Sequence, residues 1–277
     1  MAENSQHALA RPTKTEATRI AESMRQDWDE RARKDAFYYI ASWRKDWDES
    51  SFWRSGEEDY DRLVAGTLQR HSFSPQGKSM LELGCGAGRM TRSFGKHFDR
   101  VIAFDVSAEM LSRARALDDG RARIEWIQGN GTDLSGVPAS SVDFVFSYLV
   151  LQHLPEEELV HSYVREILRV LSCGGVCLFQ FNGSPEKSMN WKGRAAWSLV
   201  DALWEVGLAR VSRSTAKLLG LDPEMAGKSW HGVCVSSENV AQTVRENGGD
   251  VLEMNGANTP MAWCCARKTA AGELRRA

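Results

Sequence analysis

Apolar residues recur along this chain with more than one period, and the changes of period divide it into elements. From Ile20 to Ile40 they return every fourth position, at Ile20, Met24, Trp28, Ala32, Ala36 and Ile40, with charges between. That spacing predicts an amphipathic helix whose apolar stripe must cover another surface. Aromatic residues then crowd together: Phe37, Tyr38, Tyr39, Trp43, Trp47, Phe52 and Trp53. Single rings of this group suffice to pack the helix on its domain, but their density ahead of the first strand predicts a cap over a ligand site. Ser55-Gly56-Glu57-Glu58 has the form of a capping box opening a helix through Tyr60, Leu63, Val64 and Leu68. Ser74-Pro75-Gln76-Gly77 ends it.

Beyond that turn, short apolar runs beginning at Met80, Val101, Val142 and Val176, and an alternating stretch from Arg123 to Ile127 that stands third in order, predict five strands. The fourth, Val142 to Ser147, is nearly all apolar, as a parallel strand covered on both faces should be. Helical spacing separates the runs, at Met90, Phe94 and Phe98, then at Met110, Leu111, Ala114 and Leu117. A further helix is expected to open at Pro155, turn Leu159, Tyr163, Ile167 and Leu171 inward, and close at Gly174-Gly175. This alternation predicts an α/β fold, a doubly wound parallel sheet with ligands at the strand carboxyl ends. Asn182 to His231 interrupts it with two helical patterns, one around Trp197, Val200 and Trp204 and one from Val211 to Leu219. After it come a helix from Ser237 and two strands, Val251 to Met254 and Met261 to Ala266. The expected organisation is a mobile tail (1–15), a helical N-terminal cap (16–73), a core (74–182 and 232–267), an inserted helical lid (183–231) and a second tail (268–277).

Candidate chemistry sits at the strand ends. Leu81 to Met90 reads L-E-L-G-C-G-A-G-R-M, a strand running into glycines at 84, 86 and 88 whose bare backbone a ligand can approach. A dinucleotide turn wants glycine at position 89, where this chain has Arg89. Asp105 ends the second strand and can accept two hydrogen bonds from a ribose diol. With Glu82 ahead of the glycines, this E-x-G-x-G-x-G turn resembles motif I of the class I S-adenosylmethionine-dependent methyltransferases. Asp105 then falls in motif II, Gly129-Asn130-Gly131-Thr132-Asp133-Leu134 resembles the family's G-[D/N]-A-x-x-L segment, and Ser147 to Pro155 resembles motif IV and its turn. The resemblance covers residues 78–182 and, less specifically, 232–267, whose helix, strand and strand resemble the family's closing hairpin.

The resemblance implies a seven-stranded, mostly parallel, Rossmann-like sheet and S-adenosyl-L-methionine as cofactor. It places cofactor contacts at Glu82, Gly84, Cys85, Gly86, Gly88, Asp105, Val106, Asn130, Gly131, Ser147 and Tyr148, and Tyr39 is expected to add a contact from the cap. Asn130 would accept the adenine amino group through an uncharged amide oxygen, with the Gly131 amide facing the ring and Asp133 solvated. The implied reaction is a one-step displacement of methyl from sulfonium onto an oxygen, nitrogen or carbon of a small-molecule acceptor. A base is needed only if the nucleophile arrives protonated, and His153 and then His231 are the catalytic candidates. His161 is expected to be solvated. Two other readings compete: a methyltransferase-like binding protein without turnover, and a nicotinamide-dependent oxidoreductase, which Arg89 and the closing hairpin disfavour.

Composition narrows the partners. Lys and Arg total 35 against 37 Asp and Glu, a formal charge of -2 with no run of five like charges, so no basic stripe for nucleic acid is present. The longest apolar runs fall far short of the roughly 18 to 20 residues needed to span a bilayer, which predicts a cytoplasmic protein without a membrane partner. The six cysteines, at 85, 173, 177, 234, 264 and 265, have no paired metal-ligand spacing; free thiols and no metal are expected.

Overall fold

The computed structural model describes residues 14–184, 195–196, 198–200, 202–203, 206–220 and 232–270. The expected tails, most of the inserted segment and His231 lie wholly or largely outside these residues. The first helix, α1 (Lys14–Ile40), leaves helical geometry at Asp35 (φ -168°, ψ 90°). There the Asp35 Oδ1 accepts from Tyr38 N at 3.0 Å, restarting the last turn, which carries Tyr39 and Ile40. Helix α2 (Glu49–Asp59) begins earlier than the capping-box match suggested. Asp48 is its cap, accepting from Ser51 N at 2.9 Å, while Ser55 lies in the helix interior and donates to Phe52 O at 2.7 Å. Packing decides this start: Phe52 is fully buried and stacks on Phe37 with ring centroids 4.0 Å apart. A π-helical stretch (Tyr60–Ala65) and α3 (Gly66–Arg70) lead to the sheet.

Seven strands form one sheet: β1 (Ser79–Leu83), β2 (Arg100–Asp105), β3 (Ile124–Gln128), β4 (Val142–Ser147), β5 (Leu171–Phe181), β6 (Gly249–Asn255) and β7 (Ala262–Lys268). Their order is β3-β2-β1-β4-β5-β7-β6, with β1 to β5 parallel and β7 antiparallel to both β5 and β6. This is the doubly wound, mostly parallel sheet with an antiparallel closing hairpin that the alternation and the resemblance implied. The glycine turn is followed by only one helical turn, α4 (Thr91–Phe94), although Met90, Phe94 and Phe98 are all buried. Helix α5 (Ala108–Leu117) is capped by Ser107, whose hydroxyl accepts from Met110 N at 3.1 Å.

Helix α6 (Glu157–Val170) starts after Pro155 and ends before Leu171. Leu171 already pairs with Val142; the chain then bulges through Gly174 (φ +78°), and pairing resumes at Phe144 with Val176. The expected helix end at Gly174-Gly175 is therefore a bulge within β5. In the later chain the described helices are α7 (Ala209–Leu218) and α8 (Ser237–Glu246).

Each face of the sheet has its own core. Leu81, Leu83, Ile102, Val145 and Phe179 pack with Val164, Ile167 and Leu168 of α6 and Val240 and Val244 of α8. On the other face Met80, Val101, Phe144 and Phe146 meet Tyr60, Val64, Phe94 and Phe98. A fully buried side chain of this size contributes about 1.5–3 kcal/mol. Among the described residues no helix is long and apolar enough to cross a membrane, and no group of three or more metal-ligating side chains occurs.

Candidate active site

The parallel strands β1, β2 and β4 deliver their carboxyl ends to one place. Leu83 is in register with Phe104 on one side and Ser147 on the other, so the turn after β1 lies between the loops that follow β2 and β4. The turn is fastened to β2, since Gly84 N and Cys85 N donate to Phe104 O at 2.7 and 3.1 Å. Gly84, Gly86 and Gly88 all have positive φ, at 78°, 54° and 86°. At Gly84 a Cβ would stand 2.1 Å from Val150 Cγ2, and at Gly86 it would stand 2.7 Å from Ile40 Cδ1. Only glycine meets both demands.

Asp105 faces this turn. Its Oδ2 accepts from Gly86 N and its Oδ1 from Ser107 N, each at 2.8 Å. Burial pushes its carboxyl up to about 6, against the pull of those two N–H groups. Both oxygens keep a lone pair for hydroxyl donors from a ligand. Ser107 in turn donates to Asp29 Oδ1 at 2.6 Å, and Glu109 N donates to the same oxygen at 3.1 Å. Asp29 of α1 thus ties the N-terminal helix to the start of α5, where a carboxylate suits the helix dipole.

A cavity of about 160 Å³ lies between this sheet edge and α1. Its floor includes Leu83, Gly84, Gly86, Phe104, Asp105 and Val106; α1 and the residues after it supply Met24, Trp28, Tyr39, Ile40 and Ser42. The loop after β4 supplies Tyr148, Leu149, Val150, Gln152, His153 and Leu154, and Met110 and Tyr163 complete the wall. Arg31 stacks over both Trp28 and Tyr39, 5.6 and 5.1 Å from their ring centroids, and Lys34 Nζ lies 3.0 Å from the Tyr39 hydroxyl. These contacts hold the rings as cavity wall.

Of the residues singled out from the sequence, Gly84, Gly86, Asp105, Val106, Tyr148, Tyr39 and His153 converge on this cavity. Others do not line it. Glu82 lies beneath the turn, 2.5 Å from Thr91 Oγ1, and burial raises its carboxyl to about 8. Cys85 packs with Ala103 and Leu111, and Gly88 faces Trp126. Ser147 is fully buried and donates to Leu83 O at 3.1 Å, fastening β4 to β1. The Asn130 side chain is spent locally: its Oδ1 accepts from Thr132 N at 2.8 Å and Asp133 N at 3.0 Å, and its Nδ2 donates to Asp133 Oδ1 at 2.7 Å. Such an Asx turn shapes the loop and leaves the amide oxygen no outward aim. Asp133 is engaged in that turn instead of being free in solvent. Gly131 packs against α1, where a Cβ would come within 3.0 Å of Ala21 Cβ. His161 is hydrogen-bonded to Thr243 Oγ1 at 2.7 Å instead of solvated.

His153 is half-buried, with the Trp28 ring edge-on, centroids 5.7 Å apart. Burial, with Arg31 adding to it, lowers its imidazole to about 4, so the ring is neutral near pH 7. Two residues that the sequence reading passed over complete the loop. Gln180 of β5, fully buried, accepts from Leu149 N at 3.1 Å and donates to Gln152 Oε1 at 2.9 Å. Leu149 has φ +58°, a left-handed backbone that costs a bulky residue about 1–3 kcal/mol. Arg89 points away from the cavity into α2. It is buried, pairs with Asp59 at 2.7 Å, donates to Ser55 O at 3.1 Å and lies over Trp43. The residue that spoils a dinucleotide turn therefore holds α2 against the glycine turn.

Comparison with known proteins agrees with this geometry. A family model described as a methyltransferase domain matches residues 81–179. Phosphoethanolamine N-methyltransferase 1 of Zea mays is 32% identical over 109 residues, 39% of this chain and 21% of that protein. Trans-aconitate 2-methyltransferase of Azoarcus sp. (strain BH72) is 36% identical over 105 residues, 37% of this chain and 38% of that protein. The chain thus spans less than half the length of these relatives. Among solved structures, magnesium protoporphyrin IX methyltransferase of Synechocystis PCC 6803 with bound SAH has a similar fold, with TM-score 0.57 at 16% identity over 90% of this chain and 100% of that one. An S-adenosylmethionine-dependent methyltransferase of Methanosarcina mazei gives TM-score 0.54 at 15% identity over 75% of this chain and 99% of that one. Residues 81–179 thus match a methyltransferase-domain family, and the glycine turn and the sheet order share the fold of these solved S-adenosylmethionine-dependent methyltransferases.

Proposed function

We propose that this protein transfers the methyl group of S-adenosylmethionine to a small-molecule acceptor held in the cavity beneath α1. One observation carries the reading: the side-chain-free turn at Gly84 and Gly86 and the buried Asp105 carboxylate share a single cavity with Trp28, Tyr39, Tyr148 and His153. The residues fit that cofactor. Two left-handed glycines leave backbone accessible where a Cβ would collide, and each Asp105 oxygen keeps a lone pair for a sugar hydroxyl. When bound, the cofactor supplies an electrophilic methyl on a sulfonium.

What the chain supplies is position and exclusion of water. Asp105 and the turn fix one reactant, and the rings on α1 and the loop after β4 enclose the other. Holding two reactants in line can lower a barrier by about 7–11 kcal/mol. An aromatic face near the sulfonium adds about 0.5–2 kcal/mol. Residues 16–73 act in this reading as the cap. The names of relatives that act on phosphoethanolamine and trans-aconitate support a small-molecule acceptor.

Calorimetry with S-adenosylmethionine, S-adenosylhomocysteine and NAD tests the cofactor, and transfer of labelled methyl to a panel of small amines, phenols, thiols and acids tests the reaction. The expected result is binding of the two adenosyl compounds, no binding of NAD, and labelling of at least one acceptor class. Binding of NAD alone would overturn the reading.

A further inference from the structure

Gln180 is the one polar residue in the run from Val176 to Phe181, and it is fully buried. Buried polar groups must be paired, and its amide is saturated. The Oε1 accepts from Leu149 N at 3.1 Å, while the two N–H groups of Nε2 are shared among three acceptors, Phe181 O and Pro260 O, both at 3.0 Å, and Gln152 Oε1 at 2.9 Å, the nearest of the three. Backbone carbonyls only accept and a backbone N–H only donates, so the ends of this amide cannot be exchanged. The constraint passes along. Gln152 has committed its oxygen to Gln180, so its Nε2 faces His153 Nε2, 3.1 Å away. An amide N–H there requires a lone pair on that ring nitrogen, which leaves the proton of the neutral imidazole on Nδ1.

We propose that Gln180 and Gln152 form a positioning relay that fixes His153 as its Nδ1–H tautomer, with Nε2 engaged, so that His153 orients groups in the cavity and does not take a proton through Nε2. This rests on the reading of the cavity as a methyl-transfer site and reverses the base role that the sequence suggested for His153. The turn has little freedom to escape the constraint. Leu149 is held at φ +58° by the same Gln180 oxygen, and the returning chain presses on the far side, where a Cβ at Gly232 would stand 1.8 Å from Gln152 O. The charged groups that act on the ring are Arg31 and Asp27, both on α1.

Long-range ¹H–¹⁵N correlation spectra of the full chain labelled at its six histidines read the tautomer directly. The His153 resonances are identified by their loss in His153→Asn. The wild-type protein should show the Nδ1–H form in about tenfold excess, the value of one hydrogen bond. Gln152→Glu presents a carboxylate, which can only accept; it should move the proton to Nε2 and raise the proton affinity of His153 by about tenfold or more. Gln180→Glu should move the tautomer the same way by turning Gln152 around. A loss of packing alone would not reverse a tautomer. An Nε2–H form in the wild-type protein, or the same tautomer in Gln152→Glu, would overturn the proposal. The spectra need neither cofactor nor acceptor, so failure of the methyl-transfer reading shows in the calorimetry and leaves this readout unchanged.

Discussion

Replacing Asp105 by Asn should make the free protein more stable at neutral pH while weakening the proposed hold on a ribose. The carboxyl is buried, and its folded value of about 6 stands above the ordinary 3.8. A group raised in the folded state stabilises fully below its unfolded value and loses that contribution as pH rises through the folded one. Between pH 4 and 6 the wild-type protein should therefore lose about 3 kcal/mol, at 1.36 kcal/mol per tenfold, that the Asn variant keeps. Against this, an Asn amide facing Ser107 N loses one hydrogen bond, worth about 1 kcal/mol at all pH values. The net expectation at pH 7 is a variant about 2 kcal/mol more stable, or about 4–8 °C in Tm. Urea unfolding followed by tryptophan fluorescence at pH 5 and pH 7.5 measures the difference. In the same samples, S-adenosylhomocysteine affinity of the wild-type protein should rise with pH up to about 6, as the carboxylate forms, and that of the variant should be weak and flat. Parallel stability curves for the two proteins would refute the claim that burial, and not the two N–H groups, governs Asp105.

Other perturbations probe the frame around it. Gly84→Ala puts a Cβ 2.1 Å from Val150 Cγ2 at φ +78°, and should cost about 1–3 kcal/mol and abolish S-adenosylhomocysteine binding by calorimetry. Arg89→Met leaves Asp59 with Arg62 as its remaining ion-pair partner and should cost about 3 kcal/mol in chemical denaturation, with earlier proteolysis within residues 40–60 than elsewhere. Glu82 is raised to about 8 by burial but ionises near 4.5 when unfolded, so by the same linkage the wild-type protein should lose about 4–5 kcal/mol between pH 4.5 and 8 that Glu82→Gln keeps. Thermal unfolding at pH 5 and 8 would show the variant's advantage growing with pH up to about 8 and levelling off above it.

Local pattern made part of this molecule legible. Strand runs, the glycine turn and Asp105 are each encoded within a few residues, and the strand alternation sets the sheet, so the floor of the cavity followed from spacing together with the family resemblance. What escaped depends on partners distant in sequence or on competition between equal local signals. Ser55-Gly56-Glu57-Glu58 has the letters of a cap, but Asp48 is equally able to cap and lies where Phe52 can bury against Phe37. Asn130 aligned with a ligand contact, yet its amide is nearer to its own loop, and local hydrogen bonds win. Asp29 carried no signal, because its partners Ser107 and Glu109 are 78 and 80 residues away. Gln180 did carry one: a glutamine inside an apolar strand must be buried or misplaced, and burial obliges it to hold something.

The most direct test of the whole account is a crystal structure with S-adenosylhomocysteine bound. The account predicts the ligand between the turn at Gly84 and Gly86 and helix α1, with both ribose hydroxyls within about 2.5–3.0 Å of the Asp105 oxygens and the sulfur facing the loop that carries Tyr148 and His153. A ligand seated elsewhere, or one whose ribose makes no contact with Asp105, would contradict it.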